Sequence, residues 1–142
     1  MFLPAVDRAD DRASARYRAQ ILTADHIDLA MVLAVDGSAS VTYEEFGLIA
    51  GGMAAALKDP TVAAGLTGRS ILSLLLWSGS GQQEVMTPWT RIGTEADLAA
   101  FADSVDNVPR TVKAGTTAIG EALLAALTLL GQVPAVPKRM IV

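Results

Sequence analysis

Seven consecutive apolar residues, Leu29-Ala30-Met31-Val32-Leu33-Ala34-Val35, end abruptly in Asp36-Gly37-Ser38-Ala39-Ser40. A strand with no polar position has no water-facing side, so it belongs in the middle of a parallel sheet covered on both faces. Helices must supply that cover, and the following residues encode them. Thr42-Tyr43-Glu44-Glu45 has the form of a capping box, which predicts a helix with an apolar stripe of Phe46, Ile49, Met53, Ala56 and Leu57, stopped at Asp59-Pro60. Ser70 to Trp77 predicts a second buried strand. Ser78-Gly79-Ser80-Gly81 is a turn into a third strand, Glu84 to Ile92, which Pro88 confines to a sheet edge, hairpin-paired to the second.

Thr94-Glu95-Ala96-Asp97 opens another helix to about Val105. After a loop with Pro109 and Gly115, Thr117 to Leu130 predicts a helix with Ile119, Leu123, Ala126, Leu127 and Leu130 inward, closed by Gly131. Arg139 to Val142 reads as the start of one more buried strand. The order strand, helix, strand, strand, helix, helix, strand defines an α/β layer architecture with a mostly parallel sheet and one antiparallel edge. Residues 1–26 form a polar leader, mobile or helical around Arg12 to Leu22, before the domain of residues 27–142.

Composition narrows the chemistry. With 142 residues, 51% of them hydrophobic, the chain suits one domain with a filled core. The net charge of −4 offers no surface for a nucleic-acid backbone, and the lack of Cys removes disulfides, thiolate metal sites and thiol nucleophiles together. No apolar run approaches the roughly 18 residues that span a bilayer, so no membrane span is expected. Met1 to Val6 lacks the basic start and apolar stretch of a signal peptide, which leaves the cytoplasm as the default location.

In an open α/β sheet, ligands bind beyond the carboxyl ends of the strands, where Asp36 to Ser40 is expected to lie. One carboxylate and two hydroxyls at alternate positions, turned tightly at Gly37, can aim three oxygens at one point, and hard divalent cations such as Mg²⁺ take such ligands. A shuffled chain of this composition would contain D-x-S-x-S about 0.03 times, so the pattern is specific enough to weigh. The bland alternative is that these side chains only satisfy turn and helix-start amides.

With that motif the chain resembles the von Willebrand factor A-type domains, whose metal-ion-dependent adhesion site opens with D-x-S-x-S after the first strand. It is most similar to an uncharacterised, mostly proteobacterial family of that fold. The resemblance rests on Leu33 to Val41 with Glu44-Glu45-Phe46, Ala55-Ala56-Leu57 with Asp59-Pro60, Trp77 to Gly79, Val85 to Thr90, and Thr117 to Gly120 before Ala122-Leu123. It implies a Rossmann-like three-layer sandwich and a Mg²⁺ ion, or Mn²⁺ or Ca²⁺, held directly by Ser38 and Ser40 and by Asp36 directly or through water. It also implies a third-loop threonine, Thr117, with Thr116 as its competitor; capping the last helix is the alternative role for Thr117. The function implied is adhesion, in which a partner protein donates a carboxylate to the ion. A-type domains add a second aspartate after the strand that begins near Arg139, and further strands and helices. This chain has none of them, so a C-terminally incomplete domain is expected, with an open edge at Met140 to Val142 and a weakened metal site.

Two other functions compete. A structural or assembly module with a vestigial metal loop fits the missing aspartate. A nucleotide-binding α/β enzyme fits the element order but lacks the glycine fingerprint, and Glu121 stands where a phosphate loop needs lysine. A serine hydrolase fits worse, because Gly79-Ser80-Gly81 is not a nucleophile elbow and His26, the sole histidine, precedes the first strand. Glu44 and Glu45 read as first-turn helix acids, and Asp103 and Asp106 near Arg110 as a solvated face.

Overall fold

The structure is a computed structural model that describes residues 27–133 and 136–142, so the leader and His26 lie outside the described residues. Four strands form one sheet in the order β3-β2-β1-β4: β1 (Leu29–Asp36), β2 (Ser70–Trp77), β3 (Gln83–Ile92) and β4 (Lys138–Ile141). β1 pairs in parallel with β2 and β4, and β3 runs antiparallel to β2 on the edge that Pro88 demands. This is a mixed α/β, Rossmann-like sandwich.

Helices cover both faces. Met31, Leu33 and Val35 of β1 and Leu72, Leu74 and Leu76 of β2 point to one side, where they pack on α1 (Tyr43–Lys58) and α3 (Glu95–Asp106). The alternate residues Ala30, Val32, Ile71 and Leu75 face α4 (Ile119–Gly131). The apolar run of β1, and that of β2 broken only by the buried Ser73, are thus required, because each strand contributes to two cores.

The capping boxes at Thr42 and Thr94 form as expected. Asp59-Pro60 does more than end α1. The Asp59 carboxylate accepts hydrogen bonds from the N–H groups of Thr61 and Val62, and Pro60 opens a further short helix, α2 (Pro60–Leu66), that the sequence reading missed.

Three expectations need correction. The buried face of α1 is Phe46, Ala50, Ala54 and Leu57, with Ile49 and Ala56 exposed. In α4, Ile119, Leu123 and Leu127 are exposed, while Ala122, Ala126, Leu129 and Leu130 are buried. Alanines at 122 and 126 let the helix backbone approach β1 closely, and the leucines are displaced outward. β4 is an exposed edge strand, with Met140 and the following Val142 about half exposed, which agrees with the open edge expected at Met140 to Val142 and not with a strand buried on both faces.

Candidate functional site

β1 and β2 end in register at Asp36 and Trp77, and the Gly37 N–H still donates to the Trp77 carbonyl at 2.7 Å before the chain turns away. Gly37 is required there. A Cβ at this position would lie 2.9 Å from Val112 Cγ2 and 3.2 Å from Leu76 Cδ1. The Asp36 carboxylate accepts the Ser38 N–H at 2.7 Å and so fixes the turn from within.

The loop brings hydroxyls together. Ser38, fully buried, has its Oγ 2.8 Å from Ser40 Oγ. Thr117 comes from the segment before α4, 77 residues beyond Ser40, yet its Oγ1 is 3.3 Å from Ser40 Oγ and 3.2 Å from Ser38 Oγ. Three of the predicted residues therefore form a triangle of oxygens, with the Asp36 carboxylate bound to the backbone of the same turn. Thr117 does not cap α4, whose N-cap is Ala118 without a side-chain bond. Thr116 lies elsewhere: its backbone and hydroxyl pack on Gly79, where a Cβ would come 3.2 Å from Thr116 Oγ1.

The segment that carries Thr117 is stitched to both neighbouring strand ends. The Gly115 carbonyl accepts the Ala39 N–H at 3.0 Å, the Gly115 N–H donates to Ser78 Oγ at 3.2 Å, and the Ala118 N–H donates to the Ser78 carbonyl at 3.1 Å. Glu121, in the first turn of α4, accepts from Ser80 Oγ at 2.8 Å, the Gly81 N–H at 2.9 Å and Gln83 Nε2 at 3.2 Å. These bonds, led by the one from Ser80, hold its carboxyl below the ordinary range. Glu45 is also pulled down, by its bond to the Thr42 backbone.

Arg110 escaped the sequence reading. It does not belong to a solvated face; its guanidinium sits inside the D-x-S-x-S loop. Nε and one terminal nitrogen donate to the Gly37 carbonyl at 3.2 and 3.1 Å, and the same terminal nitrogen reaches the carbonyls of Ser38 at 2.5 Å and Val41 at 2.7 Å. The charge also stands 5.4 Å from the centre of the Phe46 ring. Asp103 instead pairs with Lys58 at 2.7 Å, which raises the lysine pKa. A lone arginine in a loop carries no spacing pattern, so its role becomes visible only in three dimensions.

The edges of the oxygen triangle fall in the range of neighbouring ligands around a hard divalent cation. Neighbouring ligands of an octahedral ion with Mg–O bonds near 2.05 Å are about 2.9 Å apart, and those around Ca²⁺ run from about 2.8 to 3.4 Å with its coordination number. The observed edges of 2.8, 3.2 and 3.3 Å span both values and do not single out one ion size. Among the described residues there is no group of three or more His, Cys, Asp or Glu placed to hold a metal, so a cation at this loop would take most of its protein ligands from hydroxyls. No helix of the described residues is long and apolar enough to cross a membrane.

No curated protein matches the chain. Residues 26–142 match the family described as a protein of unknown function, DUF1194, and the chain belongs to that family.

Proposed function

We propose that this chain is a non-enzymatic protein-binding module of the von Willebrand factor A type, dependent on a divalent cation held by Ser38, Ser40, Thr117 and, directly or through water, Asp36. The observation that carries the reading is the convergence of three hydroxyls from loops 77 residues apart into one triangle. When bound, Mg²⁺ or Mn²⁺ would supply a Lewis-acidic position for a carboxylate from a partner protein. One carboxylate leaves half of a divalent ion's charge uncompensated, and an acidic partner group would supply the remainder. The residues around the triangle support binding better than turnover. Glu121 and Glu45 are engaged by backbone and side-chain donors, which leaves neither placed as a base. The charge of Glu121 at the start of α4 also disfavours a phosphate there.

A second reading, a structural module with a vestigial loop, has one observation in its favour. The triangle can close as a ring of three hydroxyl hydrogen bonds without any ion. Calorimetric titration of Mg²⁺ and Mn²⁺ separates the two. On the adhesion reading the parent gives saturable heat and a higher melting temperature, about 2.7 kcal/mol of added stability at one hundred times Kd. Ser40→Ala, at an exposed position, should weaken binding at least the roughly tenfold that loss of an outer partner costs. Equal responses from the parent, Ser40→Ala and Asp36→Ala would sink the adhesion reading.

A further inference from the structure

Ser38 is buried beneath the triangle while Ser40 and Thr117 are exposed, so an ion held there is reached from the side of those two residues. Next to Ser40 lies a shallow depression of about 400 Å³ lined by Ser40, Val41, Glu45, Leu48 and Ile49. Its make-up follows from the start of α1. Val41 precedes the Thr42 cap, and Glu45, Leu48 and Ile49 follow at the three- and four-residue spacing that places side chains on one helix face. Leu48 is 74% exposed and Ile49 38%, and Val41 is half-buried against the core. A single exposed leucine is ordinary on a protein surface. Two exposed aliphatic side chains that share a concavity with a residue of the candidate cation site have the composition of a contact surface.

Glu45 sets the chemistry of the rim. Its carboxylate accepts the Thr42 N–H at 2.8 Å, a bond that favours the charged form. A second acidic side chain beside the one on the ion is therefore disfavoured here, whereas an uncharged aliphatic one gains by covering Leu48 and Ile49. Resting on the cation-binding reading above, we infer that the partner is a protein segment that presents an acidic residue to the ion with an aliphatic side chain beside it, seated on Val41, Leu48 and Ile49. Ser40 belongs to both the triangle and the depression, so the two contacts are continuous. The ion attracts a carboxylate, which every acidic segment carries, and the depression supplies the choice among such segments.

The test uses straight-chain carboxylates, acetate to hexanoate, titrated by calorimetry into the full chain saturated with Mg²⁺. Affinity should rise by about fourfold for each methylene that the depression covers, about tenfold or more along the series. Leu48→Ser, at an exposed position that leaves folding intact, should lose most of that rise, and Leu124→Ser, at an exposed position of α4, should keep it. Equal affinity along the series, or no carboxylate binding by a chain that does bind Mg²⁺, overturns the inference and leaves the cation site standing. A rise that persists in Leu48→Ser, that is lost equally in Leu124→Ser, or that appears in the parent without Mg²⁺ overturns it too, because the alkyl chain then sits elsewhere or binds independently of the ion. A parent with no saturable Mg²⁺ heat defeats the cation-binding reading itself, and this inference with it.

Discussion

Gly37 has so little room that its replacement is a direct probe of how tightly the loop is set. In Gly37→Ala the new methyl must push back Val112 Cγ2, 2.9 Å away on a branched, buried side chain. Overpacking of this kind costs about 1–3 kcal/mol, measurable as a lower urea midpoint, and a wild-type midpoint would show that the loop gives way easily. Glu121 makes a second residue-level prediction. Its carboxyl titrates lower in the folded chain than in the unfolded one, because Ser80, Gly81 and Gln83 donate to the charged form. The stability it adds is therefore fully present above the unfolded pKa and disappears as the pH falls through the lower folded value. Glu121→Gln should flatten the acid limb of the stability curve, and a variant with the parent's acid limb would remove Glu121 from that account. Asp36, Ser38 and Ser40 stand out in the sequence because short side chains at fixed spacing act from where they stand, whereas Thr117 came only through the family resemblance. Arg110 and Glu121 do not stand out, since each works on the backbone of a distant loop that the chain order does not bring near.

At the scale of the element, periodicity fails where a helix has more apolar residues than one face can hold. α4 offers isoleucine, leucine or alanine at nearly every position, so several stripes fit a period of 3.6 equally well. Of the stripe Ile119, Leu123, Ala126, Leu127 and Leu130, only Ala126 and Leu130 are buried, and the inward face is completed by Ala122 and Leu129. Capping signals, by contrast, are local chemistry, which is why the starts of α1 and α3 were legible to the residue while their inward faces were less so. The two faces of α4 predict opposite results. Ala126→Leu, at a position with no exposed surface, should cost about 1–3 kcal/mol by overpacking, whereas Leu124→Lys, 65% exposed, should stay within about 0.5 kcal/mol. Thermal or urea unfolding of the pair checks this assignment, and a reversed order of the two costs would refute it.

Across the whole molecule, the site follows from how the chain leaves β1. The connection to β2 runs through α1 on one face of the sheet, and β4, on the other side of β1, is reached through α4 on the opposite face. Loops that diverge from a strand in this way leave a crevice at its carboxyl end, and Asp36 to Ser40 occupies that end of β1. The architecture and the edge position of β3 were readable from strand order and the single proline in that strand. The joining of the two loops was not, since it depends on Ala39, Gly115, Ala118 and Ser78 meeting mostly through backbone groups that every residue carries. A cation that bridges Ser38, Ser40 and Thr117 must tighten both loops at once. Hydrogen exchange with and without Mg²⁺ should therefore slow together at the amides of Ala39, Gly115 and Ala118, with the β3 amides unchanged. Joint protection is expected because these N–H groups span the two loops whose hydroxyls form the triangle, so neither loop can open alone while the ion is held. Slowing confined to Ala39 would mean that the ion engages the serine loop without Thr117, and the site would then be a weaker one built from a single segment.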